Sequence, residues 1–223
     1  MPTMRNKTHF SHGFKQALKA TLAVSLLALT SLSAHAITLE QLQKRLSSEP
    51  LVRGDFTQKR EMAMFDQPLL SSGQFLLSAK NGLWWHQTKP MPVSLVLTQD
   101  KLSQQFDNQP AQVLSASDNP MVFYFSHVFL SLFKGDTSQL TEQFDLSLKE
   151  IKDSTTHNQW QLVLTPKAAP LDKVFSKIEI EGGKFINELE LDEIRGDKTI
   201  ITFSQQKTTP STLTSEEQRV FQF

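Results

Sequence analysis

Few residues in this chain are placed to do chemistry, and those few stand apart. Past the N-terminal segment the histidines are His86, His127 and His157, and none is paired with another at helical ligand spacing. HExxH, GxSxG and GxxxxGK do not occur. With 0 Cys, disulfide scaffolds, thiolate metal sites, cysteine nucleophiles and a lipid-modified N-terminal cysteine are excluded. Paired carboxylates for acid–base work could be sought at Glu188, Glu190, Asp192 and Glu193, but strand alternation sets most of them on a wet face, where nothing raises a carboxyl pKa. Gly182-Gly183-Lys184 has the look of a phosphate loop, yet it lies between two alternating strands and feeds no helix, so a hairpin turn explains it. Arg195-Gly196-Asp197 likewise reads as a turn. His127, on an apolar segment, is a pH-sensitive candidate. The expectation is no catalytic residue, no metal site and no cofactor.

The elements that must carry any site begin after an export signal. Arg5, Lys7, Lys15 and Lys19 precede an apolar run from Ala20 to Leu32, and Ala34-His35-Ala36 supplies an A-x-A cleavage site. The run is shorter than the roughly 20 residues that span a bilayer. Cleavage after Ala36 gives two regions: a signal peptide, 1–36, and one domain, 37–223, in the periplasm of a two-membrane bacterium. The mature chain keeps 19 of the 23 basic and all 23 acidic residues, a net charge of −4, without a Lys/Arg cluster. Nucleic-acid binding and attraction to anionic lipid surfaces are therefore not expected.

Thr38 and Gln41 have the spacing of a capping box, and Ile37, Leu39, Leu42 and Leu46 share one helical face. Beyond Pro50 the pattern turns to short alternating segments, with strands read at 51–60, 70–78, 82–88, 93–98, 101–106 and 111–114. Alternation returns at Phe144, Leu146 and Leu148, at Trp160, Leu162 and Leu164, and around a two-residue Gly182-Gly183 turn. A turn at Gly196-Asp197 leads to a last strand over 199–205. Short connections make this an antiparallel, mainly β protein with helices.

Asn119-Pro120 starts a helix and Gly135 stops it. From Met121 to Phe133 only Ser126, His127 and Ser131 are polar, so this helix is apolar all round and must be covered on more than one side. Pattern alone leaves two readings open, a fixed central helix and a movable lid. Of 16 Phe, 14 lie in the mature chain, beside Trp84, Trp85 and Trp160. Much apolar surface without a reactive constellation fits a carrier of a greasy ligand better than an enzyme.

Asp55-Phe56-Thr57-Gln58-Lys59, then Ser72-Gly73-Gln74-Phe75, then Leu83-Trp84-Trp85-His86-Gln87-Thr88-Lys89-Pro90 resemble, in order and spacing, the start of LolA-type periplasmic lipoprotein carriers. Pro120, Leu164-Thr165-Pro166-Lys167 and the last hairpin with its Gly-Asp turn continue the resemblance over almost all of the mature chain. The resemblance implies an incomplete, strongly bent antiparallel β-barrel with a helical lid. It also implies a non-enzymatic cycle: acylated lipoprotein is taken from an inner-membrane ABC-type release complex and passed to an outer-membrane receptor by a monomeric carrier. Leu83 and Trp85 fall where the family has cavity-facing residues. The expected cavity is Phe75, Leu77, Leu83, Trp85, Leu95, Leu97, Leu162, Leu164, Ile178, Ile180, Leu189 and Leu191, and the expected lid is Met121, Phe125, Phe129 and Leu132. The slot of the family's lid-holding arginine falls at Ala79, and the chain ends at Phe223, before a further loop and strand of better-known members. These departures keep two alternatives open: a divergent branch carrying another envelope lipid or glycolipid, or a binding or scaffold module without lipid.

Overall fold

Thr38 opens the first element with reciprocal hydrogen bonds: its Oγ1 accepts from the Gln41 N–H at 3.2 Å, and Gln41 Oε1 accepts from the Thr38 N–H at 3.0 Å. This is the capping box expected from sequence, and it starts α1 (Leu39–Ser47). Residues 37–107, 109–118, 123, 130–131, 138–151 and 159–223 are described in this computed structural model. The segment 1–36, and with it the signal peptide, lies outside the described residues, as do Met121, Phe125, His127, Phe129, Leu132 and His157.

Strands follow as β1 (Leu51–Glu61), β2 (Leu69–Ser78), β3 (Gly82–Lys89), β4 (Val93–Leu97), β5 (Lys101–Phe106) and β6 (Gln112–Ser115). After helix α2 (Ser138–Gln143) come β7 (Phe144–Ile151), β8 (Gln159–Pro166), a 3-10 turn (Leu171–Lys173), β9 (Phe175–Gly182), β10 (Ile186–Glu193), β11 (Lys198–Lys207) and helix α3 (Ser215–Val220). Among the described residues these 11 strands form one antiparallel sheet in the order β6-β5-β4-β3-β2-β1-β11-β10-β9-β8-β7. Two meanders thus meet where β1 pairs with β11, and the sheet stays open between its edges β6 and β7. The strands match the expected ones to within a few residues; α2 and α3 were not foreseen.

Register gathers the apolar alternates onto one face, because directly paired residues point to the same side. Val52, Leu77, Leu83, Leu97 and Leu102 form one row across β1 to β5. Leu146, Leu164, Ile178 and Leu191 form another across β7 to β10, with Leu148, Leu162, Ile180 and Leu189 beside it. The β9–β10 connection departs from the two-residue turn. The Gly183 N–H donates to the Phe185 carbonyl at 2.9 Å, and the ladder slips between Ile186 and Glu188. Ile186 and Leu189 are consequently both buried despite their odd spacing.

The opposite face of β9 to β11 is a charged ladder. Lys177 lies 3.0 Å from Glu179 and 3.2 Å from Asp192, and Lys198 lies 2.7 Å from Glu190. Hydrogen bonding to Glu179, then Asp192, holds the Lys177 ammonium well above its ordinary pKa. Burial pushes the Asp192 carboxyl up, but its hydrogen bonds to Lys177 and Lys198 outweigh that and leave it below the usual carboxylate range. These groups neutralise one another, as expected of a wet face.

Arg53, on β1, fastens the C-terminal segment. Its Nε and Nη2 donate to Glu217 of α3 at 2.5 and 2.7 Å, Nη1 donates to the Pro210 carbonyl at 2.8 Å and Nη2 to the Thr212 carbonyl at 3.0 Å. Glu217 also closes the α3 capping box with Thr214. The Arg53 hydrogen bonds lower the Glu217 pKa from 4.5 to about 2. A depressed carboxyl pKa adds stability above the unfolded value, which is lost as pH falls through the folded one. The stability difference between wild type and Glu217→Gln, from denaturant titrations, should therefore be full above pH 4.5 and shrink towards about pH 2. Arg53→Met should cost about 1–3 kcal/mol at neutral pH, as its half-buried carboxylate partner loses its cation.

Candidate functional site

Aromatic rings form the floor of one half of the apolar face. Phe56 stacks on Trp85 with centroids 3.5 Å apart and planes at 25°, although β2 runs between their strands. Gly73, the β2 partner of Phe56, lets the β3 backbone come close, since a Cβ there would lie 2.0 Å from the His86 carbonyl oxygen. Phe203, opposite Phe56 on β11, meets Phe75 edge-on at 5.1 Å and Trp85 at 6.3 Å.

Over this floor lies a narrow apolar pocket of about 30 Å³, room for about two waters, so an acyl chain must part its walls to enter. Its wall is Leu46 of α1, Val52, Phe75, Leu77, Leu83, Trp85, Phe185, Ile186 and Phe203, with Lys184 and Gln206 as its polar members. Gln206 Nε2 donates to the Ile186 carbonyl at 2.7 Å. Lys184 Nζ stands 2.9 Å from Glu49 Oε1 and 5.1 Å from the centroid of the Phe185 ring.

The expected cavity residues fall into two groups. Phe75, Leu77, Leu83 and Trp85 line the pocket. Leu95 and Leu97 continue the same apolar cluster, in which Phe123 and Leu130 of the expected lid segment are buried against Val52, Phe75, Leu77 and Leu102. Leu162, Leu164, Ile178, Ile180 and Leu189 lie in a second cluster closed by Leu42 and Leu46 of α1 and Leu140 of α2, with Leu191 packed against it. In that half the sheet face is filled by the protein's own helices. The expected lid residues Met121, Phe125, Phe129 and Leu132 are not among the described ones.

Sequence reasoning missed Leu46, Val52, Phe185, Ile186, Phe203, Lys184 and Gln206. Val52, Phe185 and Phe203 carry an available signal, the alternation with Gly54 and Phe56, with Leu189 and Leu191, and with Ile201, whereas the β10 register slip hides Ile186. His86 lies on the other face, its ring centroid 5.5 Å from that of Trp84.

An open antiparallel sheet with an aromatic-floored pocket and helical segments over its apolar face is the build of a carrier for a hydrophobic ligand. The chain belongs to the LolA family: the model of the outer membrane lipoprotein carrier protein LolA matches residues 47–223. Membership makes it a periplasmic lipid- or lipoprotein-binding carrier in general, in a family of carriers rather than enzymes. No curated protein matches it in sequence. Similar solved structures include a LolA superfamily protein from Nitrosomonas europaea, 10% identical, covering 77% of this chain and 94% of that one at a TM-score of 0.39. A Vibrio parahaemolyticus domain, provisionally named as an outer membrane lipoprotein-sorting protein, is 9% identical over 83% of this chain and 97% of its own, at 0.42. The MucA/MucB complex of Pseudomonas aeruginosa matches at 15% identity over 76% of this chain and 56% of that one, at 0.36.

Proposed function

We propose that the chain, after cleavage behind Ala36, works as a single domain, 37–223, that shields lipid acyl chains in the Phe75–Leu83–Trp85 pocket and moves lipoproteins from the inner to the outer membrane. The observation that carries this reading is the apolar pocket over the Phe56–Trp85–Phe203 floor, flanked by the cluster in which Phe123 and Leu130 are buried. Its partners in that cycle are an acylated lipoprotein, an inner-membrane ABC-type release complex and an outer-membrane receptor. No covalent chemistry is required of the carrier.

Burying one methylene is worth about 0.8 kcal/mol, so acyl chains enter any apolar site readily and release is the harder step. A segment that occupies the apolar face when the carrier is empty solves this, since ligand entry then exchanges one apolar contact for another. Phe123 and Leu130 make such contacts with Val52, Phe75 and Leu77, and Met121, Phe125, Phe129 and Leu132 are proposed to act with them. Native mass spectrometry of the protein purified from periplasm tests the reading, by showing Ile37 as N-terminus and a co-purified lipid. Peptides spanning 121–133 should exchange amide hydrogen faster in the loaded protein than in the empty one. Full lipid loading with unchanged exchange there would make this a fixed core segment.

A further inference from the structure

Six large apolar side chains stand more than half exposed at one end of the sheet: Met64 and Phe65 in the β1–β2 turn, Leu69 and Leu70 at the start of β2, Met91 in the β3–β4 turn and Ile194 in the β10–β11 turn. Strand pairing brings the three turns side by side. Lys198 at the start of β11 pairs with Glu61 at the end of β1, and the Ala63 N–H of the β1–β2 turn donates to Asp197 Oδ1 at 3.0 Å. Lys89 at the end of β3 pairs with Ser72 near Leu70, and Gln87 Nε2 donates to the Met91 carbonyl at 3.0 Å. Single exposed apolar residues are ordinary on a protein surface, whereas a run of them along one rim marks contact with something apolar. We propose that this rim is a membrane-docking edge, its apolar tips entering the headgroup layer of a zwitterionic bilayer.

The tips are Met, Leu, Ile and Phe, without the Trp or Tyr anchors that commonly centre a protein interface. They stand on separate turns, and a fluid bilayer accepts separate points of any outline, whereas a protein partner needs a matching hollow for each. Pro68 ahead of Leu69, and Pro90 and Pro92 around Met91, restrict the backbone at the tips, so little freedom is lost when they are seated. The charges behind the tips are already paired: Arg60 lies 3.1 Å from Glu193 and 3.7 Å from Asp197, and Lys59 lies 2.6 Å from Glu61. Among the described residues Lys89 and Arg195 have no acidic partner and Asp66 has no basic one, so the unpaired charge nearly cancels. This charge pattern matches a zwitterionic surface, where Lys89 beside Met91 and Arg195 beside Ile194 meet lipid phosphates as the apolar tips enter. With a net charge of −4 beyond residue 36, the chain is not drawn to an anionic surface, so apolar insertion supplies the affinity. The rim is at the end of the sheet away from the β9–β10 turn that lines the pocket, so docking does not depend on what the pocket holds.

Vesicle flotation of the protein purified from periplasm reads the docking. Wild type should float with phosphatidylcholine vesicles, and its partitioning should change by less than about twofold when phosphatidylglycerol is included or salt is raised. Phe65→Ser and Met91→Ser should each weaken partitioning by about three- to tenfold, and Met64→Ser, Leu70→Ser, Met91→Ser and Ile194→Ser combined should abolish it. Val113→Ser, at a comparably exposed apolar position on β6 away from the rim, should leave it unchanged. All these side chains are exposed, so the variants should fold, and unfolding midpoints near that of wild type would establish it. The chain has 0 Cys, so an environment-sensitive dye attached at Met91→Cys should shift to the blue on vesicles, and one at Val113→Cys should not. Wild type that does not float, or flotation that survives the quadruple variant, overturns the docking edge. Self-association of wild type that the quadruple variant abolishes, without vesicle binding, overturns it in favour of a second copy of the chain.

Discussion

Leu83→Glu should fold and yet take up acyl lipid at least about 30-fold more weakly than wild type. Leu83 is only partly buried, faces the pocket from β3 and pairs with Leu77 and Leu97 on either side. In the empty protein a carboxylate there can reach water through the mouth, which is why the fold should survive. An acyl chain removes that water and leaves the charge against hydrocarbon, at a cost of about 2–3 kcal/mol after partial relaxation, and each 1.4 kcal/mol is tenfold in affinity. His86→Gln is the matched control, on the same strand but the other face. Near-ultraviolet circular dichroism would establish that both variants are folded, and displacement of a fluorescent fatty-acid analogue would read their affinities. Unchanged uptake by a folded Leu83→Glu protein would take the acyl chains out of this pocket.

Much of this architecture is legible in the chain because its local rules agree with one another. Thr38 and Gln41 fix the start of α1, and period-two alternation bounded by Gly and Pro gives the strands to within a few residues. Alternation also names which side chains share a face, and Phe75, Leu77, Leu83 and Trp85 do meet at the pocket. What alternation cannot say is what covers that face. Leu162, Leu164, Ile178, Ile180 and Leu189 carry the same pattern as the pocket residues, but Leu42 and Leu46 sit against them, a pairing decided by tertiary docking of α1. The slip between Ile186 and Glu188 breaks the period, so Ile186 reaches the pocket at an odd spacing from Leu189. Arg53, a charge inside a strand, has its explanation 164 residues away at Glu217, beyond the reach of any local rule.

Trp160→Ala should destabilise the protein by about 3–5 kcal/mol, the cost of emptying a large aromatic site in a packed core. Trp160 is 0% exposed, and among the described residues it is the largest of the fully buried side chains. It packs among Leu42, Leu162, Ile180 and Ile186. Its β9 partner is Gly182, where a Cβ would lie 2.8 Å from Trp160 Cζ2, so the glycine and the indole are fitted to each other. Trp160 Nε1 donates to the Gly183 carbonyl at 2.9 Å, and that bond pins the turn that presents Lys184 and Phe185 to the pocket. Trp160→Phe separates the two roles. It keeps most of the apolar burial but removes the donor, so the cost should fall to about 1–2 kcal/mol. Urea titration should show a lower midpoint at unchanged slope for both variants. If the indole serves the core alone, folded Trp160→Phe should bind lipid like wild type. If it also sets the turn that places Phe185 and Ile186 at the pocket, folded Trp160→Phe should bind lipid more weakly than wild type.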